Sequence, residues 1–254
     1  MRWLFVVLGL LIAPAAVRAQ NSVLDTIAAH GTLRVGMPGD YRPFGSRDAA
    51  TGKVEGIDVD MAEGLAASLG VKLEIVPTKW ADLLPDLAAG KFDIGMGGIS
   101  ITLTRQKAAY FSAPVVRTGK AAIALCGKQA SFQDLAAIDK PGVKVITNPG
   151  GTNEKFDRAT LKAAEIVVHP DNLGVWAELI AGQADVMITD SVETRLQQKL
   201  HPELCAIHPD SPFDFGELGY LLPRDIGWKL YVDQWLHILG ESGELRRIQA
   251  KWLN

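Results

Sequence analysis

Apolar positions recur along this chain with two different periods. Leu33-Arg34-Val35-Gly36-Met37 and Val71-Lys72-Leu73-Glu74-Ile75-Val76 alternate in the manner of half-buried strands. Between them, Asp58 to Leu69 puts Met61, Leu65, Ala66 and Leu69 on one helical face, with Gly70 as the stop. Ala81 to Ala89 predicts a short helix closed by Gly90, and Phe92 to Met96 opens another strand. A second series begins after Pro114. Strands at Ala121–Leu125, Val143–Thr147, Ile166–Val168 and Ala184–Thr189 are interleaved with helices at Thr152–Ala163, Leu173–Ile180 and Asp190–Leu200. Gly219–Leu222 is again extended, and two amphipathic helices, at about 225–239 and 242–252, finish the chain. Alternation of this kind predicts an α/β fold.

Two sets of strand–helix units, with a crossover near 112–121 and a return near 213–222, predict two lobes joined by two strands. Residues 20–116 with 214–254 would form one lobe and 117–213 the other, with the ligand cleft between them. A single doubly wound sheet is the competing arrangement. At 254 residues the chain is long enough to bury a core in either case.

The N-terminus departs from this pattern. Arg2 precedes a ten-residue apolar run, Leu4 to Ala13, which Pro14 breaks, and Val17-Arg18-Ala19 places small residues at a cleavage site. Residues 1–19 therefore read as a secretory signal peptide, too short to anchor the mature chain in a bilayer; a buried N-terminal helix is the alternative. Export to the periplasm is expected, with no membrane insertion after cleavage. No Cys follows the cleavage site, which speaks against a lipid anchor there. The net charge is −3, and losing Arg2 and Arg18 leaves 24 basic residues against 29 acidic ones. With no Lys/Arg block anywhere, nucleic acid and anionic lipid are poor partners.

Cys126 and Cys205, 79 positions apart, form either a disulfide, which export permits, or two buried thiols. The five histidines show no HExxH and no zinc-ligand spacing, so no metal site is predicted.

Three segments carry candidate chemistry. Gly150-Gly151-Thr152-Asn153 follows a strand and opens a helix, where free N–H groups at Gly151 and Thr152 suit a carboxylate; a plain glycine turn with Thr152 as cap is the alternative. Gly97 to Thr102 ends a strand with the polar Ser100, and Arg105 just beyond could clamp a carboxylate or lie on the surface. Thr189-Asp190-Ser191-Val192-Glu193 follows an apolar strand. On spacing alone Asp190 is an N-cap with Glu193 its capping-box partner; the functional reading makes Asp190 an acceptor for a ligand ammonium or Glu193 a proton donor. Lys120 sits at the crossover, either reaching into the cleft or facing solvent, and Trp80 either walls a pocket or is simply half-buried. Neither a dinucleotide fingerprint nor a phosphate loop is present, and no nucleophile elbow competes with these sites.

Gly39-Asp40-Tyr41-Arg42-Pro43-Phe44, Gly56-Ile57-Asp58-Val59-Asp60, Asp93-Ile94 and Arg105 resemble the extracellular solute-binding proteins of polar amino-acid transporters. The resemblance covers nearly all of the mature chain and implies the two-lobed periplasmic-binding fold of type II. Six further runs resemble one enzymatic branch, the periplasmic cyclohexadienyl dehydratases. They are Asn148 to Phe156, His169 to Asn172, His201 to Cys205, Pro212 to Phe215, Tyr220 to Asp225 and Val232 to His237. That resemblance implies loss of CO2 and the ring hydroxyl from prephenate or L-arogenate, giving phenylpyruvate or L-phenylalanine. Aromatisation drives the reaction, so no cofactor is implied. A glutamate matching Glu193 is the general acid of this branch. Asp40, Trp80, Arg105, Lys120 and Asn148 match its pocket positions, and Asp190 the position that receives a ligand amino group in the binding proteins.

A glutamate titrates near 4.3 and must be raised to donate a proton near neutrality. Desolvation and Asp190 would raise Glu193, whereas Arg105 or Lys120 would lower it. The alternative function is a non-catalytic solute-binding protein serving an importer for an amino acid or small carboxylate. A ligand-sensing partner of a membrane receptor has the same fold. Glu193 separates these readings, because a pure binder has no need of a buried acid there.

Overall fold

A computed structural model describes residues 22–253 of the chain, so the expected signal peptide lies outside the described residues. Two five-stranded sheets organise the rest. In the first, the order is Lys72–Pro77, Thr32–Met37, Ile94–Gly95, Leu221–Leu222, Tyr110–Phe111. The first three strands are parallel, and the helix Ile57–Leu69 makes the crossover that parallel neighbours require. Leu221–Leu222 runs antiparallel to both of its neighbours. In the second sheet the order is Glu165–Val168, Lys144–Thr147, Val186–Asp190, Lys120–Leu125, Leu204–Ile207. Lys144–Thr147 is parallel to both of its neighbours, while Lys120–Leu125 is antiparallel to both of its own.

Each sheet has its own apolar packing on both faces. Leu33, Val35, Met61, Leu65 and Trp228 fill one side of the first, and Leu83, Phe92 and Phe111 the other. In the second, Ala122 and Ala124 point to one face and Ile123 to the opposite one, as the two-residue period of a strand dictates. Val186–Asp190 is buried along its whole length, which explains why it reads as a continuous apolar run rather than an alternating one. The sheets are joined by a two-stranded antiparallel ribbon, Val116–Thr118 against Gly216–Leu218. These are the two connections that the sequence pattern predicts between lobes. Cys126 and Cys205 are disulfide-bonded at the end of the Lys120–Leu125 ladder.

Several boundaries differ from the sequence expectation for identifiable reasons. The helix Thr152–Thr160 stops short of Ala163 because Leu161 turns into the core, and the N–H groups of Lys162, Ala163 and Ala164 all donate to the Asp139 carboxylate. The helix expected from Leu173 begins at Val175, after a turn in which Asp171 accepts the Gly174 N–H. The extended segment near Gly219 divides into Gly216–Leu218 on the ribbon and Leu221–Leu222 in the first sheet. The helix Val23–His30 and the small sheet of Asp40–Tyr41, Gly45–Arg47 and Val54–Glu55 were not predicted. Strands of two or three residues are too short to show a period.

Candidate functional site

The two sheets meet at a cleft whose walls touch. Ser100 Oγ lies 3.0 Å from Thr152 Oγ1, Tyr41 donates its hydroxyl to Asp190 Oδ2 at 2.7 Å, and Asn172 Nδ2 donates to the Asp40 carbonyl at 3.1 Å. Gly150 also packs closely against the opposite wall. Its φ of 77° favours glycine, and a Cβ there would sit 3.0 Å from that of Ala81. A cavity of about 450 Å³ remains, walled by Trp80, Ser100, Arg105, Lys120, Thr152 and Asp190. Adjoining it, Tyr41, Asn148, Gly151 and Asn153 line a pocket of about 20 Å³, room for about one water.

Arg105 is placed by a chain of backbone constraints that begins at Asp58. The Asp58 carboxylate accepts the N–H groups of Gly97 and Gly98 at 2.8 and 2.7 Å and the Tyr220 hydroxyl at 3.1 Å. Burial nevertheless pushes this carboxyl up to about 6. The fixed turn presents the Ser100 carbonyl to Arg105 Nη1 at 2.8 Å, and the Thr102 hydroxyl caps the short helix carrying Arg105. Arg105 is only 5% exposed, and burial lowers its guanidinium to about 10, still charged at neutrality. With one N–H on Ser100, the rest of the guanidinium is available to a carboxylate in the cavity.

Lys120 and Asp190 stand directly opposite each other in the antiparallel ladder, so the strand register itself creates their contact. Lys120 Nζ donates to Asp190 Oδ1 at 2.8 Å, Asn153 Oδ1 at 2.5 Å and Thr152 Oγ1 at 3.2 Å. Asp190 does precede the helix Ser191–Leu200, but its side chain makes no capping bond, and both of its oxygens are committed to Lys120 and Tyr41. The capping-box reading is therefore corrected. A cross-strand cation and a cross-cleft hydroxyl hold the carboxylate away from the helix N–H groups.

Glu193 lies within the first turn of that helix and is 1% exposed. Its Oε2 accepts the Thr189 hydroxyl at 2.6 Å, and Thr189 in turn accepts from Asn153 Nδ2 at 3.0 Å. Burial raises the Glu193 carboxyl well above its ordinary range; the Thr189 bond lowers it, Asp190 raises it, and Lys120 lowers it less. The net direction is upward: the carboxyl holds its proton more tightly than a free glutamate does. Glu193 sits behind the cavity wall rather than in it, connected to the wall through Thr189 and Asn153.

Asp40 also stands back from the cavity wall. Its Oδ1 accepts the indole N–H of Trp80 at 2.8 Å and so fixes the ring that forms the wall, while burial raises its carboxyl. Asn148 and Gly151 line the small pocket, with Gly151 as the backbone cap of the helix Thr152–Thr160. Tyr41, Asn153 and Thr189 were not singled out from the sequence. All three fall inside runs that were, but only the fold reveals that Tyr41 meets Asp190 and that Asn153 meets Thr189.

The model of the bacterial extracellular solute-binding proteins, family 3, matches residues 33–254. The cyclohexadienyl dehydratase of Pseudomonas aeruginosa is 56% identical over 243 residues, covering 96% of this chain and 90% of that protein. The L-cystine-binding protein TcyJ of Escherichia coli is 30% identical, covering 92% and 87%. Among solved structures, an ancestral amino acid-binding protein described as a precursor of cyclohexadienyl dehydratase superposes with a TM-score of 0.85 at 34% identity, covering 92% of this chain and 100% of that one. An ancestral cyclohexadienyl dehydratase matches with a TM-score of 0.59 at 46% identity, covering 93% and 98%.

Proposed function

The chain belongs to the bacterial extracellular solute-binding proteins of family 3, and within that family we propose that it is a cyclohexadienyl dehydratase, a carbon–oxygen lyase acting on prephenate or L-arogenate. The observation that carries this reading is the 56% identity, over 96% of the chain, to the Pseudomonas dehydratase. The buried Glu193, whose carboxyl burial raises, supports it, because a protein that only binds solutes gains nothing from such a group.

In the proposed reaction Arg105 holds a substrate carboxylate. The ring carboxylate leaves as CO2, and its bonding electron pair enters the ring as the hydroxyl departs as water. Aromatisation supplies the driving force, so the protein's task is to orient the diene and protonate the leaving oxygen. Glu193 is the source of that proton; the Thr189 hydroxyl now donates to it, so delivery has the hydroxyl rotate, accept from the Glu193 carboxyl and donate toward the cleft. Desolvation raises this carboxyl, the direction a general acid near neutral pH requires. Trp80, fixed by Asp40, walls the ring site, while Ser100, Asn148, Gly151 and Thr152 line the cleft around it.

The lobes of this reading are residues 20–116 with 214–254 and residues 117–213, and the signal peptide sends the mature chain to the periplasm. The test is direct. Purified protein is incubated with prephenate and, separately, with L-arogenate, following phenylpyruvate absorbance, L-phenylalanine and released CO2. Consumption of either diene is expected; a folded protein that consumes neither returns the chain to the solute-binding reading.

A further inference from the structure

The run His169 to Asn172 has no part in the proposed reaction, yet its last residue crosses the cleft. The turn that follows the strand Glu165–Val168 is closed without Asn172. His169 Nδ1 pairs with the Asp171 carbonyl at 2.7 Å, Asp171 Oδ1 accepts the Gly174 N–H at 2.7 Å, and a Cβ at Gly174 would collide with the His169 ring. Asn172 is 2% exposed, and its Oδ1 has no hydrogen-bond partner among the described residues. Leaving a buried acceptor unpaired is a cost. The side-chain bond that Asn172 does make runs to the opposite wall, where Nδ2 donates to the Asp40 carbonyl at 3.1 Å.

Asp40 is the residue that fixes Trp80. Its Oδ1 accepts the indole N–H, while the Tyr41 ring meets the same indole edge-on, with centroids 5.9 Å apart and planes at 68°. Tyr41 is itself tied across the cleft to Asp190. Both supports of the indole thus lie on the two-residue strand Asp40–Tyr41, and each is bonded to a residue of the second sheet's side. Asp190 also serves the Lys120 network, whereas the Asn172 amide is spent on Asp40. We propose that Asn172 is a positioning residue, which reaches across the cleft to set Trp80 through Asp40, so that the ring wall of the cavity is completed only when the two walls meet. The dehydratase reading supplies the reaction that this wall serves; the placement itself is independent of it. An indole free to turn would leave the substrate ring loosely held, and small errors of placement are expensive in rate.

The experiment pairs Asn172→Leu with Trp80→Phe. Leucine has a branched side chain of the same heavy-atom count as asparagine but offers no N–H to the Asp40 carbonyl. Signal-free protein labelled with fluorotryptophan is followed by fluorine NMR, with the Trp80 resonance assigned by its loss in Trp80→Phe. In Asn172→Leu that resonance should shift or broaden, while those of Trp228, Trp235 and Trp252 stay in place. kcat/KM for prephenate should fall about tenfold in Asn172→Leu, yet by less than about twofold when the same change is made in Trp80→Phe, because the bond then has no indole to place. Asn172→Ala, too short to reach Asp40, takes the place of Asn172→Leu should the latter melt below assay temperature. An unmoved Trp80 resonance, or an equal fall in both backgrounds, would overturn the proposal. A moved resonance with turnover of neither diene would overturn the dehydratase reading and uphold the positioning role.

Discussion

Asp157 gives the sharpest physical prediction outside the cleft. It is fully buried in the helix Thr152–Thr160, and neither carboxyl oxygen has a hydrogen-bond partner among the described residues. Burial pushes it up to about 7 from an ordinary 3.8, with the Lys120 charge lowering it less. Between those two pH values the folded chain therefore binds more protons than the unfolded chain, and stability falls as pH rises. At about 1.4 kcal/mol per pH unit across that interval, ionised Asp157 costs the folded state about 4 kcal/mol above pH 7. Asp157→Asn occupies the same space without a charge, so this dependence should vanish. Any cost of burying the amide shifts the whole curve by a constant. Urea unfolding of both proteins at pH 5, 6, 7 and 8 should show the variant gaining about 2.7 kcal/mol on the wild type, mostly between pH 5 and 7. The raised carboxyls of Asp58 and Glu193 are common to both and cancel. Parallel curves across this range would refute the reasoning.

Replacing Cys126 and Cys205 with Ser opens a loop that spans 79 positions; the chain-entropy relation assigns such a loop about 4.5 kcal/mol, so a large drop in Tm is expected, and an unchanged Tm would contradict it. Arg105→Met should lower kcat/KM by about 30-fold or more, the effect of removing one partner of a desolvated charge pair worth about 2–5 kcal/mol, in a variant whose melting stays near wild type. An unchanged kcat/KM would remove Arg105 from substrate binding.

Much of this architecture was legible in the sequence. Strands such as Leu33–Met37 and Val71–Val76 alternate openly, and Gly70 and Gly90 mark helix ends, because those elements bury one face and end in left-handed turns. The crossover and return were visible as extended segments, and their pairing as a ribbon follows from the two-lobed layout. The Asp40–Glu55 sheet was not legible, since its strands are too short to repeat. The site was legible as a set of residue types but not as a network. Asp190 and Glu193 are spaced as a capping box, and local sequence carries no sign of the Lys120 that stands opposite in the ladder or the Tyr41 that arrives across the cleft. Those contacts depend on register and lobe closure, which are long-range. The same holds for Glu193, whose elevated carboxyl comes from burial that no three-residue spacing encodes.

The central claim is that Glu193 delivers a proton to the leaving hydroxyl, and kcat of Glu193→Gln on prephenate tests it most directly. The amide keeps the shape of the carboxyl and can still accept the Thr189 hydroxyl, but it has no acidic proton to give. Because the amide fills the same buried space and keeps the Thr189 contact, Tm and KM should remain close to wild type. The account predicts a fall in kcat of about 10²–10⁴-fold, the usual worth of positioned proton transfer. A folded Glu193→Gln protein with wild-type kcat would contradict it.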